Sequence, residues 1–435
     1  MEDPRAIVAR EPMHYKQVLA VTIATALNAL DGFDVLSISF ASPGIAKDWG
    51  IDRAALGLVL SMELFGMGIG AFILGNLADR VGRRPTILGC LVIMSLGMLA
   101  ASTATNVEIL SAYRLFTGLG IGGMLAATNA VAAECSNAKR RNLTVAIMAG
   151  GFPMGAIVGG SLASFVLGAT GHWQSVFEFG SALTALFIPL TLWLVPETMA
   201  FLVTKRPKGA LEKINRTMVA QGRAPLAELP PVDESKKRAS FGDFFAPGMR
   251  SVTLLLTLTY FAHMLSFYFL MKWIPKIVVD LGFAPPMAGG VLVWANVGGA
   301  IGSITASILS QKMGIRPVVI ASMFLGFVAV AAFGQGFTTL GGLSLIACIG
   351  GFFTNGATAG LYAVIAQSFP AQLRAGGTGV VIGVGRAGAA LGPILGGLLF
   401  ANGVSLSLVA IILACGTLVG GIALSLLRYR EDAIA

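Results

Sequence analysis

Charge is what this chain has least of. Asp, Glu, Lys and Arg together make up 12% of 435 residues, against 55% hydrophobic residues, and the mean hydropathy is +0.81. A soluble protein of this size needs more charge than that to cover its surface, so the composition excludes the soluble classes and points to a polytopic membrane protein. Cysteine is nearly absent. Cys90, Cys135, Cys348 and Cys415 are scattered in or beside apolar runs without CxxC spacing, and imply neither a disulfide framework nor a metal site. Histidine and cysteine do not cluster and there is no phosphate-binding loop, so no metal, nucleotide or other cofactor is expected, and a membrane enzyme is not. The stretch Met1 to Glu11 holds Glu2, Asp3 and Glu11 and no apolar core before a small-residue cleavage site. The first span itself is expected to direct insertion.

Glycine, by contrast, is abundant, with 56 residues. That suits helices packed closely in lipid, where small residues let backbones approach. The net charge of +9 is distributed in a way that excludes nucleic acid as a partner: with Arg430, 24 of the 30 Lys and Arg lie on alternate connections and the two tails. The other side has only Lys47, Arg53 and Lys276, while Arg114, Lys272 and Arg386 fall within spans. This asymmetry predicts both termini on the cytoplasmic side.

Twelve apolar spans follow one another from residues 16–46 to residues 403–427. One long polar segment interrupts them, containing Pro230-Pro231 and Lys236-Lys237-Arg238, with a short surface helix expected at Ala210 to Val219. The chain therefore divides into a six-helix half at 1–196, a cytoplasmic linker at 197–249 and a second six-helix half at 250–435. The halves repeat. A shift of 232 residues sets Pro43 on Pro275, Asp48 on Asp280, Gly66 on Gly298, Gly82 on Gly314 and Arg84 on Arg316. The fold class is thus an all-α membrane protein of twelve transmembrane helices in two pseudo-symmetric halves, with a site expected between them near the midplane.

The repeat fails where chemistry is expected. Asp31 and Asp34 sit in the middle of the first span, where a carboxylate costs at least about 2.5 kcal/mol. Three residues apart, they share a helix face about 5 Å from each other. Two close carboxylates in a low dielectric do not both ionise easily, which suits the pair to pick up and release a proton. The plainer alternative makes them structural ion-pair partners of Arg114. Arg386, midway along the eleventh span, has no carboxylate inside a span of its own half except Asp280 at an outer end. Its partners are then Asp31, Asp34 or Glu63 across the cleft, or a bound anion. Glu63 and Lys272, near the outer mouth of opposite halves, could pair as an outer gate. The plainer reading has Lys272 snorkelling and Glu63 facing the cavity alone.

The loop Gly75-Asn76-Leu77-Ala78-Asp79-Arg80-Val81-Gly82-Arg83-Arg84-Pro85 closely resembles the signature G-x-L-A-D-R-x-G-R-R/K of the major facilitator superfamily. The resemblance implies the major facilitator fold and a cytoplasmic gate formed by Gly75, Asp79, Arg80, Gly82, Arg83 and Arg84, with Glu134, Arg140 and Arg141 as partners. Within the superfamily the chain is similar to the aromatic acid:proton symporters, exemplified by transporters of benzoate and 4-hydroxybenzoate. The similarity is carried by Asp31-Gly32-Phe33-Asp34, Trp49-Gly50-Ile51, Arg114 to Gly123, Pro196-Glu197, Tyr268 to Pro275, Asn355-Gly356-Ala357 and Gly385-Arg386-Ala387-Gly388. Glu63, Lys272 and His263 depart from the family pattern.

An aromatic carboxylate needs a cation to replace its hydration, an apolar slot for its ring and a hydrogen-bond partner for any ring hydroxyl. Arg386 is the expected cation. Phe33, Tyr268, Trp294 and Tyr362 are candidates for the slot, as are Phe65 and Phe267. Asn355 and His263 complete the candidate substrate set. The expectation is import of an aromatic monocarboxylate with protons by a multi-pass carrier of the inner (plasma) membrane, with Asp31 and Asp34 taking the proton, Arg114 tuning them, and no partner beyond substrate, protons and lipid; a monomer is expected. Rival readings are a symporter for a non-aromatic organic or sugar acid, a proton-driven efflux antiporter, and a non-transporting sensor.

Overall fold

The computed structural model describes residues 3–230, 241–370 and 373–427. Pro231, Lys236-Lys237-Arg238, Arg428 and Arg430 lie outside the described residues. The described chain is helical throughout, and twelve of its helices are long and apolar enough to cross a membrane. The first six are α2 (Tyr15–Trp49), α3 (Arg53–Val81), α4 (Arg83–Ser102), α5 (Val107–Glu134), α6 (Arg141–Thr170) and α7 (Gln174–Leu194). The second six are α10 (Arg250–Asp280), α11 (Pro285–Met313), α12 (Ile315–Phe333), α13 (Leu340–Ser368), α14 (Arg374–Ala401) and α15 (Leu406–Leu426).

The packing repeats with the sequence. α3 packs along α5 and α2 along α6 in the first half; α11 packs along α13 and α10 along α14 in the second. Between the halves α3 lies on α14, α6 on α11 and α2 on α10. The connections alternate between two faces. One carries Gly82 and the linker; the other carries Gly50, Gly171 and Gly282, each with a positive φ that ends its helix or opens the following turn.

The linker is more structured than its polarity suggested. Thr198 caps α8 (Met199–Lys205), and α9 (Ala210–Ala220) follows. With α1 (Pro4–Arg10) they enclose a small apolar core of their own, including Ile7, Val8, Phe201, Leu202, Ile214 and Met218. The segment from Met199 to Lys205 therefore belongs to a helical cap on this face, and α9 presents an apolar edge to it.

Among the described residues, every hydrogen bond or ion pair between the halves lies toward the face opposite the linker: Arg53 to Asp280, Lys272 to Glu63 and Lys272 to the Val35 carbonyl. Helix contacts seal the same end, with Gly57 against Pro393 and Gly397, and Gly289 against Ser164 and Phe40. The molecule is closed at that face.

Candidate functional site

Asp31 and Asp34 lie midway along α2, 1% and 0% exposed. Neither oxygen of Asp31 has a hydrogen-bond partner, nor does Oδ1 of Asp34; Oδ2 of Asp34 accepts from Thr184 at 3.4 Å. Arg114 does not pair with either carboxylate, so the plainer alternative, an Arg114–aspartate ion pair, is not formed. Its Nη2 donates to the backbone carbonyl of Asp34 at 2.9 Å and to the Glu63 carboxylate, and the guanidinium lies 5.3 Å from the centre of the Phe177 ring. The reason is helix spacing. A Cβ on Gly118 would overlap the backbone carbonyl of Glu63, so its absence draws α5 onto α3 and places Glu63 against Arg114 one turn away.

Glu63 has a second cation. Lys272 of α10, 0% exposed, reaches its Oε2 at 3.3 Å and donates to the Val35 carbonyl as well. Lys272 therefore does not snorkel to an aqueous surface. Glu63, Arg114 and Lys272 form one dry cluster that joins the halves.

Arg386 is half-buried midway along α14 and makes no hydrogen bond or ion pair among the described residues. Tyr260, Tyr362, Tyr268 and Asp31 lie within electrostatic range of it. The Tyr260 ring rests on Gly385, and its hydroxyl is 3.1 Å from that of Tyr362. A tyrosine cluster around a free guanidinium, facing an unpartnered carboxylate on the other half, can hold an anion with an aromatic body and exchange it against the carboxylate. Tyr260 was not among the residues expected here. Its signal was weak, since a buried tyrosine in an apolar span reads as packing.

Three expected contacts are corrected. His263 is 0% exposed and enclosed by its own half: its ring nitrogens lie 3.1 Å from the Thr354 carbonyl, 3.0 Å from the Thr358 hydroxyl and 3.4 Å from the Thr417 hydroxyl. It ties α10 to α13 and α15 rather than facing the cleft. Phe33 is packed inside the first half, against Gly159 and Gly180 and edge-on to Phe179 at 5.6 Å. Trp294 belongs to an exposed stripe of α11 with Met287, Ile301 and Ile308, at a spacing of seven that keeps one face for the whole span. A face exposed along the entire span is a lipid face. Asn355 is half-buried with its amide against Gly299 of α11, donating to the Gly351 carbonyl at 3.3 Å.

On the linker face the loop motif is folded around Arg83, which reaches Asp79 at 2.8 Å, Glu134 at 2.9 Å and the Ala78 carbonyl at 2.8 Å. Gly82, at φ 122°, makes the turn. A Cβ added at Gly75 would meet that of Ala126 at 3.4 Å, an ordinary contact distance, so helix approach does not demand a glycine there. Arg80 and Arg141 are exposed and make no ion pair among the described residues, and the Arg140 N–H donates to Asn137; these two expected gate partners, Arg140 and Arg141, do not meet the motif. Glu197 does, and was missed as a partner. Its carboxylate accepts from the backbone N–H groups of Arg83 at 3.0 Å, Arg84 at 3.3 Å and Thr198 at 2.9 Å, capping the start of α4. Burial holds this carboxyl above the ordinary glutamate range, opposed by those donors and by Arg83.

Comparisons with known proteins identify the family. The family model of the Major Facilitator Superfamily matches residues 23–275 and 256–434. A gallate transporter of Pseudomonas putida is 31% identical over 93% of this chain and 90% of its own length. A 3-(3-hydroxy-phenyl)propionate transporter of Escherichia coli is 30% identical, covering 96% and 95%, and a 4-hydroxybenzoate transporter of Pseudomonas putida is 31% identical, covering 92% and 90%. The solved structure of a D-xylose-proton symporter has the same fold, with a TM-score of 0.73 at 16% identity over 94% of this chain and 97% of that one. The chain belongs to the Major Facilitator Superfamily, among the relatives named for aromatic acids, and is a membrane transporter rather than an enzyme.

Proposed function

We propose that this protein imports an aromatic carboxylate together with protons, by alternating access of its two halves in the inner (plasma) membrane. The observation that carries the reading is the free Arg386 guanidinium among Tyr260, Tyr268 and Tyr362, across from an Asp31 whose two oxygens are unpartnered. The arginine takes the carboxylate of the substrate, the tyrosines border the ring and any hydroxyl on it, and Asp31 and Asp34 take the proton. Protonating the aspartates removes their claim on Arg386 and leaves it to the substrate. The names of the relatives, which include transporters of gallate and 4-hydroxybenzoate, support an aromatic acid as cargo.

In this reading the linker face is cytoplasmic, as the distribution of Lys and Arg favours, so the closed face is the outer one. The Arg83 cluster and Glu197 form the cytoplasmic gate hinge. Uptake of a panel of labelled aromatic and aliphatic acids into proteoliposomes, with the lumen alkaline, tests the proposal. Accumulation of an aromatic acid that collapses on adding a protonophore is the expected result; gradient-independent equilibration, or expulsion, overturns it.

A further inference from the structure

Two ion pairs join α3 to α10 across the interface, and their polarity is opposite. At the closed face Arg53 of α3 meets Asp280 of α10 at 3.0 Å, with side chains 43% and 30% exposed, and Lys276 also reaches Asp280. Deeper in, Glu63 of α3 meets Lys272 of α10 with both side chains at 0% exposure. At 1.5 Å per residue the second pair lies about 12–15 Å further along the helices. An exposed pair is worth little and is screened by salt, whereas separating a dry pair leaves a charge without compensation. The inner pair is the one whose making and breaking carries energetic weight.

Lys272 also holds more than Glu63. It donates to the backbone carbonyl of Val35, while Arg114, sharing Glu63 with it, donates to the carbonyl of Asp34 at 2.9 Å. Two successive carbonyls of α2, at the end of the Asp31–Asp34 segment, are thus gripped by two cations around one carboxylate. One of those cations belongs to the other half. When α10 withdraws, Glu63 keeps Arg114 as its counter-charge and Lys272 is left in a mouth that water enters. Breaking the contact therefore costs the pairing of Lys272, which water must take over, while Glu63 stays compensated by Arg114.

We propose that Lys272 is a positioning residue of the transport cycle: closure of the mouth sets it on Glu63 and Val35 and so fixes the proton-carrying segment of α2, making outer closure and placement of Asp31 and Asp34 a single event. The part that concerns the proton rests on the proposed symport; the part that concerns closure does not. Exchanging the two charges is no test, because a lysine at position 63 would face Arg114.

The experiment has two arms on the full-length protein in proteoliposomes. In the first, Arg53→Cys and Asp280→Cys replace the outer pair, Cys348 and Cys415 are changed to Ser, and closure is read as the yield of a short bismaleimide cross-link by mass spectrometry. Lys272→Met should lower the yield about fivefold or more, a population shift that Lys272→Arg, keeping the charge, holds to about twofold. In the second arm, with no cysteine added, Lys272→Met should lower gradient-driven accumulation about tenfold while substrate counterflow changes about threefold or less. An unchanged cross-link yield overturns the latch, and accumulation falling in parallel with counterflow overturns the coupling. If Lys272→Met does not reach the membrane folded, Glu63→Asp takes its place, since it keeps a charge beside Arg114 and shortens the reach to Lys272. If the native protein shows no gradient-driven accumulation, the symport reading fails while the cross-link arm still decides the latch.

Discussion

Arg114 donates to the backbone carbonyl of Asp34 at 2.9 Å and leaves Oδ1 of that aspartate without a partner. The arginine fixes where Asp34 is without neutralising it by a direct ion pair. A carboxylate so placed, at 0% exposure, stays available for a proton.

Replacing either aspartate with an isosteric amide should therefore remove the coupling and keep the shape. Asp31→Asn and Asp34→Asn are each expected to abolish accumulation driven by a proton gradient, with counterflow partly surviving. Accumulation that persists in both variants would show that the proton site lies elsewhere.

Arg114 has a structural load that the aspartates do not share. Its loss leaves Glu63 with Lys272 alone, and removes the donor on the Asp34 carbonyl. Breaking a buried pair from one side costs about 3–5 kcal/mol. Arg114→Ala should lower the melting temperature in detergent well below that of Asp34→Asn. The double variant Arg114→Ala with Glu63→Gln should recover part of the loss, because the second change removes the carboxylate that the first left under-compensated.

At the linker face the prediction concerns Glu197. Its carboxylate caps α4 through two N–H groups and touches the turn at Gly82. Glu197→Ala should cost about 0.5–2 kcal/mol in stability, the range of a lost helix cap. Gly82→Ala should be worse, since an added Cβ meets the Glu197 carboxylate at a φ of 122°. Thermal melts of the two variants check the order.

Much of this molecule is legible in its sequence, for identifiable physical reasons. Twelve spans announce themselves because a bilayer demands long apolar runs, and the repeat shows in Gly66 with Gly298 and Gly82 with Gly314 because backbone constraints must be met in both halves. Partners across helices are a different matter. Arg114 has Asp31, Asp34 and Glu63 within plausible reach, and the choice of Glu63 depends on the α3–α5 spacing set at Gly118. Spacing along one helix places His263 in a span but does not say which neighbour it faces; three threonines of α13 and α15 supply the answer. Trp294 needed the exposure of Met287, Ile301 and Ile308 to be read as a lipid-facing residue.

The tyrosines give a prediction about selectivity. Tyr260 and Tyr362 share a hydroxyl contact of 3.1 Å beside Arg386, so a ring hydroxyl entering there would find a donor and an acceptor already placed. Tyr260→Phe and Tyr362→Phe should each weaken binding of a hydroxylated acid about 5–10-fold, the worth of one hydrogen bond, and change an unsubstituted benzoate far less. Competition assays with the two acids measure the ratio. Equal losses for both would assign the tyrosines to shape alone.

Arg386 carries the last prediction. A guanidinium midway along a span needs a counter-charge or a set of acceptors, and among the described residues it makes no ion pair or hydrogen bond. Asp31 is the carboxylate within its electrostatic range, on the opposite half and without a partner of its own. The two are placed to attract each other when no substrate is bound, and a substrate carboxylate would compete for the same arginine. Asp31→Asn should then tighten substrate binding while it destroys accumulation, because the rival anion is gone. Arg386→Lys keeps the charge but loses the planar fork that grips a carboxylate with two parallel bonds. It should weaken affinity about tenfold or more, with the melting temperature preserved, and Arg386→Ala should weaken it further. Calorimetry on the purified protein with a hydroxylated benzoate decides the matter: an unchanged dissociation constant in Arg386→Ala would rule the anchor out, and weaker binding in Asp31→Asn would rule out the competition.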